Sequence, residues 1–207
     1  MSRIIAILGA LVVVAFGAFY VLGNSSDTAP ADPLGAANAQ DTAADVDTSS
    51  IADMTAGNPD APVTVIEYAS FTCPHCAAFH TGPYKQLKTD YIDTGKINFV
   101  YREVYFDRYG LWASMIARCA GPDKFFGMAD LIYSGQSEWS RAGEPAAIID
   151  ELRKIGRLAG LDGDTLEACL QDGEKAKTLV AWYQENAEAD GIESTPSFVI
   201  NGKKYSN

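Results

Sequence analysis

Apolar positions change their period several times along the chain. From Ile4 to Leu22 they run almost without interruption and without charge. As a helix rising about 1.5 Å per residue, this run would span roughly 28 Å, close to the thickness of a bilayer core. It reads as a membrane anchor or, alternatively, as a removed signal. The small-residue site Ala37-Asn38-Ala39 lies far beyond the run, which favours the anchor. Arg3 precedes the run and Asp27 and Asp32 follow it, so either reading exports the rest of the chain. Residues 24–50 are rich in Ala, Asp, Ser and Thr with little periodicity, the pattern of a flexible linker.

Beyond the linker, Gly57-Asn58-Pro59-Asp60 is turn chemistry, and Val63-Thr64-Val65-Ile66 is a β-branched run typical of a buried strand ending near Ser70. Pro74 suits the first turn of a helix, where its missing N–H has no intrahelical partner. That helix is expected to reach Tyr91 or Ile92, with a kink at Gly82-Pro83. Lys96 to Tyr105 reads as a second strand, which makes residues 62–105 a β-α-β unit with parallel strands and a right-handed crossover. From Arg108 to Asp190 apolar residues recur at helical spacing: Trp112, Ile116 and Cys119; then Phe125, Phe126, Ala129 and Ile132; then Ile148, Leu152 and Ile155. A short helix over Thr165–Leu170 and a longer one carrying Leu179, Val180 and Tyr183 complete this block. Strand character returns at Ser197-Phe198-Val199-Ile200, and Asn201-Gly202 is a hairpin signal. Together these elements predict a small mixed sheet interrupted by a helical insertion.

Charge narrows the partners. The 207 residues hold 16 Lys+Arg against 27 Asp+Glu, a net charge of −11. Without a basic cluster to offset it, that surface repels phosphate backbones, so nucleic acid is not an expected partner.

The candidate chemistry is Cys73-Pro74-His75-Cys76, placed where strand meets helix. Two intervening residues let the sulfurs reach bonding distance across one turn. The first sulfur also faces the positive end of the helix dipole, which favours its thiolate, the attacking species in disulfide exchange. His75 would stabilise that thiolate further by charge or hydrogen bond. Other readings are weaker. A zinc site extended by His80 lacks a partner motif, so His80 reads as an ordinary helix residue and no metal is expected. Covalent haem attachment needs His after the second Cys, where Ala77 stands. A static 73–76 bridge would constrain little of the unfolded chain. Cys119 and Cys169 each lie on an apolar helix face, as two inert buried thiols or, in an oxidising compartment, as a structural disulfide.

The segment Glu67-Tyr68-Ala69-Ser70-Phe71-Thr72-Cys73-Pro74-His75-Cys76 resembles the active-site segment of the DsbA-like family of thioredoxin-fold thiol–disulfide oxidoreductases. The resemblance runs from about Asp53 to Lys204. It implies an α/β, thioredoxin-like fold with an all-helical insertion, preceded by the N-terminal apolar helix (1–23) and the linker (24–50). Residues 51–107 would form the first part of the core, 108–190 the insertion, and 191–207 the second part. Cys73 would then be the exposed nucleophile and Cys76 the resolving thiol, with Pro74 and His75 tuning their potential. Glu67 would match a buried acid that relays protons to Cys76; the bland alternative is an edge-exposed glutamate. Thr195-Pro196 would form a cis-proline loop beside the dithiol, pairing its backbone with an extended substrate strand.

The resemblance further implies an enzyme without cofactor, periplasmic and either tethered to the inner membrane or released from it, and monomeric. It would introduce disulfides into reduced exported proteins, and a DsbB-like quinone-linked membrane oxidase would reoxidise it. A reductase or isomerase using the same pair, and a chaperone-like peptide-binding module with an incidental dithiol, remain the competing readings. Relatives of this kind continue past the hairpin with a further strand and a closing helix. A chain stopping at Asn207 therefore reads as a fragment, with apolar sheet surface left bare near Phe198, Val199 and Ile200.

Overall fold

The computed structural model describes residues 46–206. The apolar N-terminal segment and most of the expected linker lie outside them. Among the described residues no helix is long and apolar enough to cross a membrane.

β1 (Met54–Gly57), β2 (Val63–Ala69), β3 (Ile97–Glu103), β4 (Ser197–Ile200) and β5 (Lys203–Ser206) form one sheet in the order β1-β3-β2-β4-β5. β2 and β3 are parallel, Val65 beside Phe99 and Glu67 beside Tyr101, while β1, β4 and β5 each pair antiparallel with their neighbours. Between β2 and β3 come α1 (Pro74–Thr81), α2 (Pro83–Leu87) and one π-helical turn (Lys88–Ile92). The kink expected at Gly82 is a full break. Its φ −123°, ψ −99° is outside the helical region, and Pro83 starts a new helix. β1 was not expected. Met-Thr-Ala-Gly has no β-branched alternation, and it is a strand because the outer edge of β3 offers it a ladder.

The long connection from β3 to β4 is helical: α3 (Arg108–Cys119), α4 (Pro122–Ser134), α5 (Gln136–Trp139), α6 (Pro145–Leu158), α7 (Gly163–Leu170) and α8 (Gly173–Ala189). Phe125, Met128, Ile132, Leu152 and Leu166 are at most 1% exposed, so the insertion has its own apolar interior, continuous with that of the sheet. α6 and α7 meet closely at Gly156, where a Cβ would stand 2.5 Å from Leu166 Cδ2.

Strand alternation sorts the sheet into two faces. Val65, Glu67 and Ala69 share one with Phe99 and Tyr101 and are buried. On the other, Tyr68, Val104 and Val199 are buried with Tyr183 of α8 and Ile192 packed against them. Of the bare surface expected around β4, Val199 is covered, at 4% exposed, while Phe198, its ring on Phe79 at 5.1 Å, and Ile200 are only partly buried. The hairpin reading of Asn201-Gly202 agrees with their positive φ values, 47° and 80°.

Candidate active site

β2 delivers the chain directly to the dithiol. After Ala69 the backbone turns, Cys73 N–H donating to Ser70 O at 3.1 Å. Cys73 then takes the extended conformation (φ −81°, ψ 119°) that caps α1, with Pro74 in its first turn. Two side chains fix this loop, Gln136 of the insertion and Asp107 just before it. Gln136, 6% exposed, donates both amide hydrogens, to Phe71 O at 2.7 Å and Cys73 O at 2.9 Å. Asp107 caps α3 by accepting from Tyr109 N and Gly110 N, while its other oxygen accepts from the Thr72 hydroxyl at 2.8 Å. Gln136 thus holds the residues on both sides of Thr72, and Asp107 holds Thr72 itself.

The two sulfurs are in the free thiol form and their environments differ sharply. Cys73 is 9% exposed and Cys76 fully buried. The hydrogen bond offered by Cys76 is the largest influence on Cys73, whose pKa falls from 9.0 to about 5. Burial opposes this shift, while Thr195 and the backbone N–H groups of Cys76 and His75 add to it. The same contact, reinforced by burial, drives the Cys76 thiol far up. One thiolate and one held proton is the ground state of this pair. His75 contributes through its N–H, and its side chain is exposed beside Pro74.

Thr195-Pro196 is a cis peptide. Thr195 O lies 3.5 Å from Cys73 Sγ. The Thr195 hydroxyl is buried without a hydrogen-bond partner among the described residues, and it favours the thiolate form of both sulfurs.

A depressed pKa has a signed consequence. The Cys73 thiolate stabilises the reduced fold above about pH 5, in full only above the unfolded value of 9.0, and that contribution is lost as the pH falls through 5. Iodoacetamide should therefore label Cys73 of the reduced protein at a near-constant rate from about pH 8 to 6, at half that rate near pH 5, and about tenfold more slowly per unit below. A labelling midpoint close to 9 would contradict this picture of the pair.

Glu67 lies on β2, six residues before Cys73, and is fully buried. Its two carboxylate oxygens lie 3.1 and 2.9 Å from Nε2 of His80, itself 2% exposed. His80, taken from the sequence as an ordinary helix residue, is the buried partner of the acid. The available signal was its position four residues after Cys76, on the same face of α1. Gln136 was also missed, because a glutamine after Gly135 reads as loop. Cys119 and Cys169 are apart from this site, joined by a 2.04 Å S–S bond between α3 and α7.

The comparisons with known proteins agree with this geometry. A family model described as Thioredoxin matches residues 49–207. A Rickettsia bellii (strain RML369-C) protein, provisionally named a protein-disulfide oxidoreductase, is 37% identical over 75% of this chain, and the match spans 59% of that relative's length. The crystal structure of Wolbachia pipientis alpha-DsbA1 superposes with a TM-score of 0.67 at 30% identity, covering 75% of this chain and 79% of the other. A protein-disulfide isomerase from Novosphingobium aromaticivorans superposes at 0.65 with 26% identity, covering 76% and 91%. With sequence, fold and thiol geometry pointing the same way, the chain belongs to the DsbA-like family of thioredoxin-fold thiol–disulfide oxidoreductases.

Proposed function

We propose that the protein oxidises cysteine pairs in exported proteins, using Cys73 and Cys76 as the exchanging dithiol. The single observation that carries this reading is the split between the sulfurs: Cys73 held as a thiolate with a pKa of about 5, Cys76 held protonated beneath it. A cysteine ionised so readily is a good leaving group and favours the reduced enzyme, the thermodynamic mark of an oxidant.

The cycle balances in two exchanges. A client thiolate attacks Cys73 Sγ of the oxidised pair; the S–S bond breaks and Cys76 leaves, taking up one proton. A second client thiolate then attacks the client sulfur of the mixed disulfide, and Cys73 departs as a thiolate. The client loses two electrons and the enzyme gains them. The backbone at Thr195, 3.5 Å from the nucleophile, is where an extended client segment would pair as an added strand. Reoxidation falls to a DsbB-like quinone-linked oxidase, with the apolar N-terminus tethering or exporting the domain to the periplasmic side of the inner membrane. Isomerisation is the second reading, supported by the name of the Novosphingobium neighbour.

Equilibration in glutathione buffers, with the state of each thiol read by alkylation, separates these. An oxidase should give a potential close to DsbA's, about −120 mV, and a value near thioredoxin's, about −270 mV, would refute oxidation as the direction of flow. An isomerase would instead rescue a scrambled client faster than it oxidises a reduced one.

A further inference from the structure

Reduction of the pair requires a proton at a place solvent does not reach. Cys76 is fully buried, and a second thiolate beside that of Cys73 would set two like charges in one apolar pocket. The proton must therefore arrive as the sulfur leaves. Behind Cys76, four residues along α1, stands His80, and this spacing brings Cβ atoms to about 5–6 Å on a shared helix face.

Every element packed on the imidazole contributes an ionisable or aromatic neighbour. β2 supplies Glu67. α4 supplies Tyr133, stacked at 4.3 Å, and α2 supplies Tyr84 at 4.6 Å. β3 supplies Tyr101 at 5.7 Å, its hydroxyl bonded to that of Tyr133 at 2.7 Å. Within α1 the edge of Phe79 lies at 5.5 Å. The charges of Cys76, Glu67 and Cys73 all act on Tyr133, so the dithiol and the acid–imidazole pair share one low-dielectric compartment. Burial makes the three phenols far weaker acids than usual. That leaves the hydrogen-bonded His80–Glu67 pair as the remaining ionisable partner of the dithiol in this compartment.

We propose that His80 is the atom-level proton carrier of the redox cycle, handing a proton from its imidazole to Cys76 Sγ as the disulfide opens and recovering it when Cys76 attacks. Glu67 is the positioning residue that fixes the ring, through the contact of both its oxygens with Nε2. The inference rests on the oxidoreductase reading and goes beyond the acid relay implied by family resemblance. The transfer runs directly or through one bridging water. The sulfur gains an S–H bond, the ring loses an N–H bond, and the electron pair of the broken S–S bond stays on Cys76.

The test is stopped-flow oxidation of a small dithiol peptide by the oxidised full-length protein across the pH range, corrected for ionisation of the peptide thiols. For the wild type the corrected rate should change with pH and slow in deuterium oxide, as a rate that includes delivery of a proton does. His80→Gln should be about 100-fold slower and independent of pH, the size expected for loss of a general acid. Glu67→Gln should retain a pH-dependent rate with a displaced midpoint. Iodoacetamide labelling of Cys73 in reduced His80→Gln should keep its midpoint near 5, showing the nucleophile undisturbed. An unchanged rate and pH profile in His80→Gln would overturn the proposal. Should that variant not fold, the wild type alone decides: a solvent deuterium effect on the corrected rate is expected, and none would overturn it. A wild type that oxidises no dithiol at all would instead refute the oxidoreductase function.

Discussion

Cys73→Ser should fold, present the same surface to extended peptides, and oxidise none of them. A serine hydroxyl neither ionises near neutral pH nor forms a bond that a client thiolate can break, so oxidation of a reduced dithiol client should fall to the rate without enzyme. Cys76→Ser should behave differently. Its Cys73 keeps backbone N–H groups and Thr195 around it, so it should still accept a client sulfur and accumulate as a mixed disulfide, visible on a non-reducing gel. Undiminished activity of Cys73→Ser in a client-folding assay would leave a peptide-binding module as the better account.

The low pKa of Cys73 acts mainly on equilibrium rather than on speed. At pH 7 a pKa near 5 leaves about 99% thiolate against about 1% for a thiol at 9.0. Nucleophilicity falls with pKa along a slope of about 0.4–0.5, so each thiolate is roughly 40–100-fold less reactive and the gain is nearly cancelled. What survives is the stabilised reduced state. The shift corresponds to at most about 2.7 kcal/mol at pH 7, roughly half that after solvent screening of a partly accessible sulfur, or about 30 mV for two electrons. That is a fraction of the roughly 150 mV between thioredoxin and DsbA, and the rest must come from the groups around Cys76. Equilibration with glutathione therefore decides the direction of electron flow, which thiol titration alone does not.

What the sequence made legible was local. The strand before the dithiol, the Pro at the first turn of α1, the Cys-x-x-Cys spacing and the Asn201-Gly202 turn each depend on residues within a few positions of one another, and periodicity located the insertion's longer helices. What it hid was long-range. β1 exists because β3 has a free edge 40 residues on, and α5 is four residues long, too short for any period. His80 became more than a polar helix residue only when Glu67, 13 residues earlier, was folded beneath it. Gln136 acts on carbonyls 65 and 63 residues away. A buried polar side chain takes its meaning from its partner, and the partner is supplied by tertiary structure.

The Cys119–Cys169 bond offers the largest expected effect on stability. It closes a loop of 50 residues between the last residue of α3 and the last turn of α7, for which chain entropy gives about 4 kcal/mol at the upper end. Against a total stability of about 5–15 kcal/mol that is a large share. The double variant Cys119→Ala, Cys169→Ala should melt roughly 10 °C lower by calorimetry, at about 2–4 °C per kcal/mol for a domain of this size. Its effect on the chemistry should be small for a geometric reason. α3 meets the nucleophile loop at its other end, through Asp107 and Thr72, and its 12 residues separate cap from disulfide by roughly 18 Å. The Cys73 labelling midpoint should accordingly stay near 5 in the double variant. A melting point equal to that of the wild type would show that the bond does not constrain the native fold, and a displaced Cys73 midpoint would show that α3 transmits its state to the active pair.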